Sequence, residues 1–162
     1  MLILGVDPAY RTLGYCLVKV NGTPEVVSHG LVDLGSSKAW RTLIPQAIAV
    51  LKPYTADVVV VEEITWQGRR KGALALAHLS GAIIGWAASI EARVAVYLPR
   101  DVKAATVQGK FPANFSEHEK DAMSLCRLYL NETSDHLNEN PKLADEPKTP
   151  KRTPRRRTKT RG

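Results

Sequence analysis

The chain has 162 residues and 17.8 kDa, a length that fits one compact domain and excludes a second large one. Cys16 and Cys126 sit among apolar residues without CxxC spacing, which argues against a disulfide or zinc framework and for buried, reduced thiols in an intracellular setting. The net charge of +7 suggests a basic protein, yet eight of the 23 cations fall in residues 148–162 with no acid among them, leaving residues 1–147 at −1.

In chain order, the apolar run at residues 2–6 leads into Asp7 and reads as a buried strand. It is too short, and lacks the basic flank, for a secretory signal. Residues 14–20 predict a second strand, and Asn21-Gly22 a hairpin into a third over residues 25–34. Residues 40–51 carry apolar side chains at helical spacing, with Pro45 in the first turns. Four consecutive valines at 58–61 are the pattern of a central strand covered on both faces, and the run ends in Glu62-Glu63.

A charged loop with Arg69, Arg70 and Lys71 precedes a long helix predicted over residues 73–92. His78, Ser80, Ser89 and Glu91 within it favour a buried helix over a membrane span. A fifth strand over 93–98, a short helix after Pro99 and a helix over 116–130 complete the domain. Ser116 and Glu119 form a capping box for the last. Strands and helices in this order predict an α/β fold. From about residue 131 the sequence turns polar and proline-rich, and is expected to be a disordered tail over 131–162. Its basic end, with Arg152, Arg155, Arg156 and Arg157, suits contact with nucleic-acid phosphates.

Asp7 and Glu62 each end an apolar strand, while His118 and Asp121 lie at i and i+3 on the capped last helix and share one side of it. Carboxylates gathered at strand ends repel one another unless a cation lies between them, which points to a divalent metal. Oxygen-rich ligation with one imidazole suits Mg²⁺ or Mn²⁺, and two such ions about 4 Å apart are a known arrangement for phosphodiester hydrolysis. Each residue alone has an ordinary reading as well: a turn-making Asp, a solvated strand end, a polar helix face. No phosphate loop of Walker or Rossmann spacing is present, which argues against nucleotide cofactors.

The residues Ile3-Leu4-Gly5-Val6-Asp7-Pro8 with Gly14-Tyr15, then Val60-Val61-Glu62-Glu63, Val102-Lys103, and His118 with Asp121-Ala122-Met123, resemble the RuvC family of Holliday-junction resolvases over residues 1–130. The resemblance implies an RNase H-like fold, with a five-stranded mixed sheet flanked by helices. It also implies a homodimer that makes symmetric nicks in four-way DNA with two Mg²⁺ per site, Mn²⁺ being able to substitute. By position it gives Asp7, Glu62, His118 and Asp121 as metal ligands and catalytic residues, and Lys103 as a cation near the scissile phosphate.

It further suggests Trp66 as a residue that stacks on a base, with core packing as the alternative, and Arg69, Arg70 and Lys71 as phosphate contacts beside the cleft. Gly81 and Gly85, four apart in the long helix, are expected at the dimer interface, the alternative being packing on the protein's own sheet. The location implied is cytoplasmic, on nucleoid or viral DNA. One departure stands out: relatives commonly carry a longer segment, with another helix, between Lys103 and Asp121. That departure keeps a broader branched-DNA, flap or hybrid nuclease open as an alternative, beside a non-catalytic nucleic-acid-binding module.

Overall fold

The structure, a computed structural model, describes residues 1–35, 40–64 and 73–139. Five strands and four helices follow in the order β1 (Leu2–Pro8), β2 (Thr12–Asn21), β3 (Thr23–Asp33), α1 (Trp40–Leu51), β4 (Val58–Glu62), α2 (Ala73–Ser89), β5 (Arg93–Tyr97), α3 (Pro99–Gln108) and α4 (Glu117–Glu139). The strands form one mixed sheet in the order β3-β2-β1-β4-β5. β1, β2 and β3 pair antiparallel through the expected hairpin, while β1–β4 and β4–β5 pair parallel.

Alternation along the central strands sorts their apolar side chains into two cores. Leu4 and Val6 of β1 and Val59 and Val61 of β4 face α1 and α2, where they meet Leu43, Ala47, Leu51, Leu79, Ile83 and Ala87. Ile3, Val58 and Val60 face the other way, against Val102 of α3 and Ala122, Leu125 and Cys126 of α4. All four valines of β4 are buried, which is why that strand shows no polar alternation. Cys16 and Cys126 are free, buried thiols in the second core, and burial pushes Cys16 up to about 12.

Two boundaries differ from the sequence reading. The long helix stops at Ser89 rather than residue 92, because Glu91 adopts a left-handed φ of 59° and turns the chain into β5. The last helix runs past Leu130 to Glu139, so the segment after residue 130 begins as helix and not as disordered tail. Tyr97 on β5 donates a hydrogen bond to Glu132 and ties this extension to the sheet. The remainder of the expected tail lies outside the described residues.

Candidate active site

The alternation that sorts the core also builds the site. In β1 the residues Ile3, Gly5 and Asp7 share the α4 face, and in β4 Val58, Val60 and Glu62 share it. Asp7 and Glu62 each lie one residue beyond the last paired position, Val6 opposite Val61, of two adjacent parallel strands. Two carboxylates thus stand side by side where the apolar part of each strand ends. Asp7 is buried and Glu62 partly so.

The start of α4 is brought onto these strand ends by missing side chains. A Cβ on Gly5 would stand 2.0 Å from the Ala122 carbonyl oxygen, and one on Gly14 would stand 2.4 Å from that of His118. Only glycine admits the helix backbone this close. Gly14 is the β2 partner of Asp7, so the contact that seats His118 lies directly across from the carboxylate it serves. His118 Nδ1 is 2.6 Å from Asp7 Oδ2.

The helix end is fixed a second time by Glu119. The Ser116 amide donates to Glu119 Oε2 at 2.9 Å and the Glu119 amide donates to Ser116 Oγ at 3.3 Å, the reciprocal bonds of the expected capping box. The other oxygen of this buried carboxylate is 2.6 Å from His29 Nδ1 on β3, and the His29 ring packs 4.2 Å from Phe115. Burial alone would raise Glu119, but its Ser116 and His29 partners hold it below the usual carboxylate value.

Asp121, one turn after His118, is held from α3. Thr106 Oγ1 lies 2.6 Å from Asp121 Oδ1, 2.9 Å from Ser124 Oγ and 2.9 Å from the Val102 carbonyl. Lys103, one turn before Thr106, is exposed, with Nζ 3.7 Å from Glu117 Oε2.

The charges sense one another. Burial first, then Asp7 and Asp121, pushes Glu62 up to about 7 against the opposing pull of Lys103 and His118. Its hydrogen bond to Asp7 raises His118 despite burial. Among the described residues no three such groups stand close enough to hold a metal ion as they are, and His118 pairs directly with Asp7. The donor set nevertheless fits a hard divalent cation. Three carboxylates that repel at Glu62 gain from positive charge, and a neutral His118 that donates from Nδ1 to Asp7 carries its lone pair on Nε2, the nitrogen suited to ligation.

The structure therefore brings Asp7, Glu62, His118 and Asp121 together with Lys103 at the rim. Trp66, Arg69, Arg70, Lys71, Arg152, Arg155, Arg156 and Arg157 lie outside the described residues. Gly81 and Gly85 do not pack on the sheet: both are on the exposed side of α2, with nothing within 4 Å of an added Cβ, and the helix faces its core through Leu79, Ile83 and Ala87. No described helix is long and apolar enough to cross a membrane. Sequence reasoning missed Thr106 and His29. No local signal marked either, because Thr106 meets Asp121 from a separate helix and the partner of His29, Glu119, is distant in sequence.

The sequence pattern of the family described as crossover junction endodeoxyribonuclease RuvC matches residues 3–138. A crossover junction endodeoxyribonuclease RuvC from Pelodictyon phaeoclathratiforme is 33% identical over 133 residues, covering 79% of this chain and 68% of the relative. Among solved structures, RuvC of T. thermophilus in complex with Holliday junction substrate is similar with a TM-score of 0.66 at 20% identity, over 82% of this chain and 96% of that one. The fowlpox virus Holliday junction resolvase gives 0.59 at 16% identity, over 82% and 99%. These likenesses show that the chain shares the fold of those proteins.

Proposed function

The chain belongs to the RuvC family of crossover junction endodeoxyribonucleases, and on that premise we propose that it resolves four-way DNA junctions by paired, symmetric phosphodiester hydrolysis. The observation that carries this reading is the convergence of Asp7, Glu62, His118 and Asp121 from two adjacent strand ends and one helix start, with Glu62 pushed up to about 7 by burial first and then by Asp7 and Asp121.

Asp7, Glu62, His118 and Asp121 are the residues that would hold two Mg²⁺ ions, or Mn²⁺ in their place. When bound, such ions supply Lewis-acid stabilisation of phosphoryl oxygens and acidify water. The protein's own part is orientation. Asp7 fixes the His118 ring through Nδ1, the Gly14 contact seats its backbone, and Thr106 tethers Asp121. Lys103, exposed and within electrostatic reach of Glu62, would meet the negative charge that grows on the scissile phosphate. The products carry 5′ phosphate and 3′ hydroxyl ends.

The homodimer forms through the exposed side of α2 that carries Gly81 and Gly85, and its twofold symmetry directs two sites to opposite strands. Trp66 and the cations at 69–71 and 152–157 contribute DNA contacts around them.

The test compares an immobile four-way junction with matched duplex, flap and RNA–DNA hybrid, in Mg²⁺ or EDTA, for wild type and Asp121→Asn. Symmetric nicks in the junction alone, abolished by EDTA and by the substitution, are expected. Equal cutting of flaps or hybrids would replace the reading with a broader nuclease, which the short connection between α3 and α4 permits. Binding without cutting would leave a DNA-binding module.

A further inference from the structure

We propose that Thr106 is a positioning residue for the cutting reaction: its hydroxyl donates to Asp121 Oδ1 and fixes the carboxylate from a separate helix. The inference rests on the reading of Asp121 as part of the cutting site.

The direction of the bond follows from counting protons and acceptors. Thr106 Oγ1 and Ser124 Oγ carry one proton each. Around them lie three groups that only accept: the Val102 carbonyl, the Lys120 carbonyl and Asp121 Oδ1. The two carbonyls belong to α3 and α4 and already take their own helical amide hydrogens. Asp121 Oδ1 is a carboxylate oxygen, the closest acceptor to Thr106 at 2.6 Å, and has no helical amide to satisfy it. As the shortest contact and the acceptor of the three without a helical amide, it is where the Thr106 proton goes. Ser124 then turns its proton to the Lys120 carbonyl at 2.8 Å or to Thr106 Oγ1 at 2.9 Å. Ser124 is wholly buried, so this pair of hydroxyls forms a dry brace behind the carboxylate.

The brace joins the two helices that enter the site. α3 packs against α4 with Val102 buried in the second core, and presents Lys103 and Thr106, one turn apart. Without the tether, Asp121 has no hydrogen-bond partner among the described residues, and its side chain is fixed only by its position on α4. A Thr side chain on a neighbouring helix thus sets the rotamer of a group whose placement decides the reaction.

Thr106→Val keeps the shape and removes the hydroxyl, and Thr106→Ser keeps the hydroxyl. Loss of a partner that orients a ligand typically costs 10–100-fold in metal affinity or activity. Single-turnover cleavage by Thr106→Val is therefore expected to fall about 10–100-fold, with junction affinity in EDTA unchanged and with weaker Mn²⁺ binding in a calorimetric titration of the DNA-free protein. Thr106→Ser should restore most of both losses, and Val107→Ala, at an exposed position of the same helix, should change neither.

Thermal melts in EDTA of all variants show whether a loss follows unfolding. Cleavage and Mn²⁺ binding by Thr106→Val equal to wild type would overturn the proposal, as would a Thr106→Ser variant as impaired as Thr106→Val. A wild type that binds Mn²⁺ but cuts no junction would overturn the function proposed above, and the Mn²⁺ titration would still decide the role of Thr106.

Discussion

Facing α1 and α2, the sheet presents Leu4, Val6, Val59 and Val61, full-sized side chains met by Leu43, Leu51, Leu79 and Ile83. Facing α4, it presents Gly5 and Gly14 at the closest approaches, where any added carbon would strike helix backbone. Bulk fills the first interface and holds the helices at a distance set by packed side chains. Absence shapes the second, and brings one helix close enough for His118 to reach Asp7 at 2.6 Å. A layer seated by side chains can relax by changing rotamers, whereas a layer seated backbone to backbone has no such slack. The face that carries the chemistry is the one without slack.

Substitutions on the two faces should separate activity from stability. The largest effect belongs to Asp7→Asn, which should lower junction cleavage on the order of 1000-fold while the thermal melt stays cooperative. Single-turnover assays at saturating protein measure it. On the opposite face, Leu43→Ala should cost about 2–5 kcal/mol in a urea titration and leave the cleavage rate of the folded protein as it was. Gly14→Ala should cost less, about 1–3 kcal/mol of overpacking, yet also slow cleavage at temperatures where it is fully folded, because the new carbon displaces His118. If Leu43→Ala slowed cleavage as much as Gly14→Ala does, the distinction between the faces would fail.

The smallest effect is a pH dependence without divalent metal. Glu62 ionises at about 7 in the folded chain against an ordinary 4.5, so ionisation costs folding energy and stability falls as pH rises across that interval. His118, raised by Asp7, holds a proton in the folded state above its ordinary 6.5, and the stability this adds is likewise lost as pH rises through its folded value. Glu62→Gln should therefore raise the urea midpoint at pH 8 and leave it nearly unchanged at pH 5. The partly exposed carboxylate is screened by solvent, so the gain should be about 1 kcal/mol.

Much of this was legible in the sequence because it depends on local pattern. The valine run ending in Glu62, the Asn21-Gly22 hairpin and the Ser116–Glu119 capping box are short-range signals, and each predicted element appears near its expected place. The end of α4 was not legible. Residues 131–139 are polar and carry no apolar stripe, but they continue a helix already nucleated and packed, where extension adds a hydrogen bond per residue without the cost of starting. The partners of the site residues were equally hidden. Thr106 meets Asp121 and His29 meets Glu119 only once the sheet and helices are assembled, and neither spacing has a local signature. The glycines were visible as part of a motif, but the reason for them became plain only from the helix backbone they admit.

The parallel pairing of β1 with β4 has one more consequence. Because Asp7 and Glu62 extend the same register on adjacent strands, the gap between their backbones is the hydrogen-bonded repeat of a sheet, about 4.8 Å, and owes nothing to the identity of any neighbouring side chain. The main chain acts as a gauge. Sequence drift that swaps one apolar residue for another beneath it can alter how firmly the gauge is mounted, but not the interval it measures.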